Sequence, residues 1–355
     1  MTKEKEKKSS LVVIVIISFL AIILGLYFFC TGPVDRNNTE LIDVSIESGT
    51  SVNQIADILK DNGLIRSPLL FKVYVKLYDV NSLKAATYQL SPSMNLKEII
   101  EHLEKGSTYN PNLVVLTFKE GERITDFAKV IEKNTNHSSD EVLNIINDKE
   151  YLNTLINEYW FLTTDILNED IYYPLEGYLA PDTYHFANKD VDIKEIIKKM
   201  LDEMSNVLEP YQATISNDIH KYMTMASIVE LEGTNTDNRK MIVGIFNNRL
   251  NSGMNMGSDV TTYYGLQVAM TSDLTSEQFA SSNAYNTRST TMIGKLPIGP
   301  ICSPSKSSIE ASLYPTDNDY LFFVADKHGK IYYTKTMQEH DQKVAEIKAK
   351  GDWIW

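Results

Sequence analysis

The apolar and polar positions divide the chain into blocks of different period. Residues 11–30 hold no charge for twenty positions, the length of a bilayer-spanning helix and longer than the roughly 7–15 residues of a signal-peptide apolar region. No small-x-small cleavage site follows, and Phe29 before Cys30 fits a lipoprotein site poorly, so an uncleaved anchor is expected. Residues 31–40 read as a polar linker. Residues 41–46 alternate as a strand, and Ser48-Gly49 turns the chain. Thr50 or Ser51 then caps a helix carrying Val52, Ile55, Ile58 and Leu59 inward, which Asn62-Gly63 stops. Further helices are expected over residues 67–77, 91–103 and 193–208, and others lie between 138 and 165. Residues 320–326 and 330–334 predict a hairpin around Lys327-His328-Gly329, and a charged helix over residues 336–348 follows.

One block occurs twice. Residues 44–62 align without gaps on residues 116–134, matching Gly49 to Gly121, Ala56 to Ala128 and the apolar positions throughout. Each copy reads as a strand, a glycine turn and a short helix. Such a unit resembles LysM, a module that binds N-acetylglucosamine-containing glycans. Two unrelated strand–helix units sharing a common pattern would look alike, so glycan binding stays open at this point.

The stretch with most chemistry runs from residue 221 to 250. Tyr222, Met225, Ala226 and Val229 follow helical spacing, so a buried helix is expected, ending near one carboxylate, Glu230. Ala226 and Ser227, four and three residues earlier, put small neighbours beneath it. A carboxylate taken out of water this way favours its protonated form, which a general acid needs near neutral pH. A salt-bridged glutamate at a helix end is the bland alternative. Glu232, two residues on, points across the helix rather than alongside Glu230, so an ordinary glycosidase pair of carboxylates is not evident here. Residues 174–186 pack two prolines, a glycine, aromatic rings, Glu176 and Asp182 into a stiff loop that suits sugar recognition, or a structural turn.

Charge and composition narrow the classes. Lys3, Lys5, Lys7 and Lys8 precede the apolar span and only Arg36 follows it closely, which predicts residues 1–10 in the cytoplasm and the remainder outside. The chain carries a net charge of −13, so outside the +2 tail the balance is −13 − 2 = −15. An ectodomain this acidic disfavours nucleic acid as a partner. The two cysteines, Cys30 and Cys302, provide no disulfide framework, which suits a bacterial surface. The six histidines, at 102, 137, 185, 220, 328 and 340, form no metal-binding spacing, and no phosphate-binding loop occurs, so no metal or cofactor is expected. Ser303-Pro304-Ser305-Lys306 matches the S-x-x-K of penicillin-binding enzymes but lacks their later elements, and reads as chance.

Six blocks in order resemble the MltG (YceG-like) family of membrane-anchored endolytic murein transglycosylases. They are L-E-G-Y-L-A-P-D-T-Y (175–184), M-A-S-I-V-E-L-E (225–232), F-N-N-R-L (246–250), Y-N-T (285–287), L-P-I-G-P-I (296–301) and Y-L-F-F-V-A-D (320–326). The resemblance implies an α+β chain with a single transmembrane helix (11–30), a LysM-like domain (41–110), a second LysM-like repeat with connecting helices (111–210) and a mixed α/β YceG-like catalytic domain (211–355). It implies Glu230 as a single general acid and base that cleaves the MurNAc–GlcNAc β-1,4 bond of nascent strands and leaves a 1,6-anhydro end. Glu176, Glu232, Asn248, Arg249, Asp259, Tyr285, Asn286 and Thr287 are implied to line or support the groove. Implied partners are peptidoglycan strands, the cytoplasmic membrane and cell-wall synthases.

The chain departs from the family pattern at several points. Gln-x-Asp-Pro-Thr reads Gly257-Ser258-Asp259-Val260-Thr261; Arg288 replaces a tyrosine, Ile298 a proline and Ile331 a histidine. A non-catalytic wall-binding scaffold and a hydrolysing muramidase are the rival functions; they predict no cleavage and reducing ends, respectively.

Overall fold

The computed structural model describes residues 2–80 and 82–353. The side chains of residues 2–12, including the lysines that set the expected orientation, lie outside the described residues. The chain forms two compact units, Met1–Asn112 and Leu113–Trp355.

In the first unit, helix α1 (Thr2–Thr31) includes Val13–Thr31, 19 residues of mean hydropathy 2.9. At about 1.5 Å per residue that segment is ~28 Å long, close to a bilayer's hydrocarbon thickness. Next come β1 (Ile42–Ile46), α2 (Val52–Asp61), α3 (Pro68–Leu77), β2 (Ala86–Leu90) and α4 (Leu96–Lys105). Strand β1 pairs antiparallel with β2, placing Val44 opposite Tyr88. Ser51 caps α2 in a reciprocal pair with Gln54, and Asn95 does the same for α4 with Glu98. Ile55 and Leu59 enter the core with Phe71, Val75 and Ile99, whereas Val52 stays exposed.

The second unit opens with β3 (Val114–Thr117), α5 (Ile124–Asn134), α6 (Ser139–Ile146) and α7 (Lys149–Glu158). Strand β4 (Thr183–Phe186) pairs antiparallel with β3. The repeat seen in sequence is real as architecture: β1–α2 and β3–α5 are both strand, glycine turn and helix. Gly49 and Gly121 hold φ of +86° and +76°, where a side chain is strained. Then follow α8 (Ile193–Leu208), a short α9 (Gln212–Ile215), α10 (Ile219–Glu232), α11 (Thr236–Asn251), α12 (Asp259–Gly265), α13 (Ser276–Phe279) and α14 (Lys306–Leu313). The expected hairpin is β5 (Phe322–Ala325) with β6 (Ile331–Thr334), and α15 (Met337–Ala349) follows it.

A boundary at residue 210 has no counterpart. One hydrophobic core runs from Val114 on β3 through α8 to Met223 and Ala226 of α10 and Ile309 of α14. Helix α10 is therefore packed on both sides: Met223 and Ala226 face that core, and Met225, Ile228 and Val229 face a second one with Ile242 and Phe246 of α11. The helix carries apolar residues around most of its circumference because it is enclosed, and its two carboxylates stand at its C-terminal end.

Candidate active site

Helix α10 ends on two carboxylates. Residues two apart on a helix are about 200° apart around its axis, so Glu230 and Glu232 leave in opposite directions. Their surroundings differ accordingly.

Glu230 is enclosed, its side chain 6% exposed, in a cage of donors. The Arg239 Nη2 group donates to Oε1 at 2.8 Å. On Oε2 converge the Ser305 N–H at 2.8 Å, the Ser305 hydroxyl at 2.5 Å and the Ser308 hydroxyl at 2.6 Å. Ser305 is also the N-cap of α14, so the carboxylate sits where the helix dipole favours negative charge. Arg239 is itself fixed by the Gly233 carbonyl and the Ser307 hydroxyl. The small and apolar neighbours expected from the helix's own sequence are thus replaced by polar groups from α11, from the cap of α14 and from its first turn. Ser305 and Lys306, which matched a penicillin-binding pattern, are that cap and the first residue of α14.

Glu232 faces the other way, into a groove of about 700 Å³. Leu231, Glu232, Arg249, Asp259, Val260 and Tyr263 form one side; Phe323, Val324, Ala325 and Ile331 of the hairpin form another. Residues 270–274, Phe279, Arg288, His340 and Trp353 complete the lining. Glu232 takes one hydrogen bond, from the Ser258 hydroxyl to Oε1 at 2.6 Å. Among the described residues no protein group hydrogen-bonds Oε2. Burial raises the Glu232 pKa above the ordinary carboxylate value and Asp259 adds to the rise; Ser258, Arg249 and Arg288 oppose it. Asp259 pairs with Arg288 at the rim, and Arg288 also lies 5.4 Å over the Phe279 ring. Tyr263, Phe279, Phe323 and Trp353 give the groove flat apolar faces of the kind that stack on sugar rings.

The arrangement is a deep acidic side chain beside an aromatic-lined cleft. The YceG-like family model matches residues 44–346. This chain belongs to the YceG-like family. It is 35% identical over 314 residues to the endolytic murein transglycosylase of Bacillus subtilis (strain 168), covering 87% of this chain and 86% of that protein. It is 32% identical over 335 residues to the endolytic murein transglycosylase of Streptococcus pneumoniae serotype 2, covering 88% of this chain and 60% of that protein. A crystal structure of a yceG-like protein from Listeria monocytogenes superposes with a TM-score of 0.61 at 36% identity, over 86% of this chain and 99% of that one.

Within this YceG-like chain, three of the residues expected at the groove do line it: Glu232, Arg249 and Asp259. The others stand behind it. Arg249 shows the link between the two sets, since its Nε donates to the Leu321 carbonyl at 2.6 Å and its Nη1 to the Met256 carbonyl. Asn248 holds the approach to the hairpin through the Asn318 and Tyr320 carbonyls at 2.8 and 3.0 Å. Asn286 and Thr287 are fully buried; Asn286 ties Thr262 to the Phe279 and Ser281 carbonyls, and the Thr287 hydroxyl accepts from the Ser258 N–H at 3.0 Å. Tyr285 packs between Tyr172 and Tyr264, inside the second core. Asn248, Asn286 and Thr287 thus brace loops with their polar groups, whereas the Tyr285 hydroxyl has no hydrogen-bond partner among the described residues.

Glu176 is the clearest correction. It is 2% exposed, accepting from the Ile124 N–H at 3.0 Å and the Tyr264 hydroxyl at 3.1 Å. Burial pushes its carboxyl up to about 8, against those two hydrogen bonds. Residues 175–180 around it are buried too, so this part of the loop belongs to the core, whereas Asp182, Thr183 and His185 further along are exposed. Gly177 explains the tight sequence: at φ +80°, its missing Cβ would lie 2.4 Å from Pro300 Cβ. The groups missed from sequence were Arg239, Ser258, Ser305 and Ser308. All four lie outside the six blocks that carry the resemblance.

Proposed function

We propose that the protein is a membrane-anchored endolytic peptidoglycan transglycosylase whose acid and base is Glu232 rather than Glu230. The observation that carries this reading is that Glu232 faces the groove with its Oε2 free of protein donors, while both oxygens of Glu230 are already occupied. Three donors exhaust the lone pairs of Glu230 Oε2, and Oε1 is engaged in the ion pair with Arg239.

The chemistry needs one carboxyl group. Protonated Glu232 gives its proton to the glycosidic oxygen as the bond from MurNAc C1 to the GlcNAc oxygen breaks. The resulting carboxylate takes the proton of the MurNAc C6 hydroxyl as that oxygen bonds to C1. A 1,6-anhydro ring closes, the GlcNAc hydroxyl leaves, and Glu232 ends protonated as it began. The nucleophile is part of the substrate, so no second carboxylate and no attacking water are required. A raised pKa keeps the acid charged with its proton near neutrality. Arg249 beneath the groove and the Asp259–Arg288 pair at its rim tune that proton affinity in opposite senses. The aromatic walls supply stacking surfaces for neighbouring sugars.

In the same reading α1 crosses the cytoplasmic membrane with residues 1–10 inside, and the LysM-like strand–helix units hold the glycan. Product analysis on purified glycan strands tests the function: anhydro-ended muropeptides are expected from the wild type and are lost in Glu232→Gln. Reducing ends would instead mean a hydrolase, and no cleavage a scaffold.

A further inference from the structure

Helix α3 leaves an apolar stripe uncovered. Leu69, Val73 and Leu77, spaced four apart on one face, are 70%, 46% and 71% exposed, and Tyr78 just beyond is 57% exposed. The opposite face is committed to the core through Phe71 and Val75. A ten-residue helix with apolar residues on both faces has a second place to bury one of them.

The neighbour of α3 says what that place is. Arg66, just ahead of the helix, donates to the Phe29 carbonyl at 2.6 Å and the Val34 carbonyl at 2.9 Å, and its guanidinium lies 4.4 Å over the Phe29 ring. Tyr78, just after it, stacks on Tyr74 at 4.3 Å. Helix α3 packs against α1, and its N-terminal end is tied to the last turns of α1 through Arg66. Tyr27 and Phe29 lie four and two residues before Thr31, about 6 and 3 Å inside the end of the apolar span at 1.5 Å per residue. That is the depth of the boundary between acyl chains and headgroups, where amphipathic helices lie and tyrosines collect.

Charge agrees. Residues 66–78 contain Arg66, Lys72 and Lys76 and no acidic residue, in a chain of net charge −13. Lysines beside an exposed apolar stripe reach upward to anionic headgroups while their stems cover hydrocarbon.

We propose that α3 lies in the membrane interface at the C-terminal end of α1, with Leu69, Val73 and Leu77 among the acyl chains of that leaflet and Lys72 and Lys76 at its phosphates. The inference rests on α1 crossing the bilayer. It makes the first unit a second, flat foot on the membrane, so the anchor fixes the orientation of this unit as well as its distance.

Site-directed spin labelling of the full chain in phosphatidylglycerol-containing vesicles tests it, in a Cys30→Ser, Cys302→Ser background. Labels are placed one at a time at Leu69→Cys, Val73→Cys and Leu77→Cys, with Lys60→Cys on α2 as the aqueous control and Ile17→Cys as the report on α1. The expected result is collision with oxygen but protection from a water-soluble nickel chelate at 69, 73 and 77, as at 17 and unlike 60. Chelate access at 69, 73 and 77 equal to that at 60, with 17 protected, overturns the proposal and leaves the anchor standing. Chelate access at 17 as well overturns the anchor reading itself. Labels at 69, 73 and 77 shielded from both oxygen and chelate would mean a protein cover instead of lipid, which also overturns it. The labelled positions are not packed in the protein core, and an unchanged circular dichroism spectrum confirms that each labelled chain is folded.

Discussion

Replacing each glutamate of α10 by glutamine separates the two faces of the helix. Glu232→Gln removes the only proton that Oε2 could deliver to a bound saccharide. General acid–base catalysis contributes about 10²–10⁴-fold, so the rate of anhydro-end formation should fall by at least that lower figure, about 2.7 kcal/mol of barrier at 1.4 kcal/mol per tenfold. Stability should hardly change. The side chain has one protein partner, Ser258, which a glutamine oxygen also satisfies, and a group whose charged form burial disfavours loses little on becoming neutral. Glu230→Gln does the reverse. It leaves Arg239, 13% exposed, without its counter-charge and turns an amide toward the Ser305 or Arg239 donors. Removing one partner of a buried pair costs about 3–5 kcal/mol. For a unit the size of residues 113–355 that lowers the melting temperature by about 6–20 °C.

The assay pairs thermal melts with mass spectrometry of muropeptides released from purified strands, both at a temperature below either variant's transition. The reasoning is refuted if Glu232→Gln releases anhydro-ended products at the wild-type rate, or if Glu230→Gln melts normally and releases none. The second outcome would return the acid to Glu230 and make the donor cage part of the chemistry.

Three further predictions follow from the same geometry. The reaction needs protonated Glu232, so activity falls as pH rises through its pKa; Asp259→Asn removes a charge that raises this pKa and should move the alkaline limb of kcat/KM to lower pH, while Arg288→Met removes one that lowers it and should move the limb up. Glu176 has a folded pKa of about 8, above the roughly 4.3 of an unfolded chain, so the folded state binds the extra proton and stability is lost as pH rises from about 4.5 to 8; Glu176→Gln should flatten that slope by a few kcal/mol in melts recorded across the range. Gly177→Ala combines a left-handed backbone with a Cβ 2.4 Å from Pro300 Cβ, and should cost about 2 kcal/mol or more in urea unfolding.

Which parts of this molecule were legible follows from where the deciding contacts lie. The β1–α2 and β3–α5 units, the β5–β6 hairpin and α8 are specified by residues within a few positions of one another, so period, caps and glycine turns were enough. The long apolar N-terminal helix was plain for the same reason. The expected break near residue 210 has no counterpart because a core is not local: α8 and α10 bury side chains against the same cluster as β3, far earlier in the chain, and nothing in the connecting residues records it. The carboxylates of α10 show the limit most sharply. Helical geometry alone says that Glu230 and Glu232 diverge. It does not say which one meets the groove, because that depends on what packs against each face. Ser305 and Ser308 arrive at Glu230 from 75 and 78 residues away, Arg239 from nine, and Ser258 at Glu232 from 26. An apolar run read around Glu230 suggested a desolvated acid, but burial among apolar residues is also where a fold must supply donors to any carboxylate it encloses. The enclosed glutamate was therefore the one given partners, and the one left with a free oxygen was the one at the cleft.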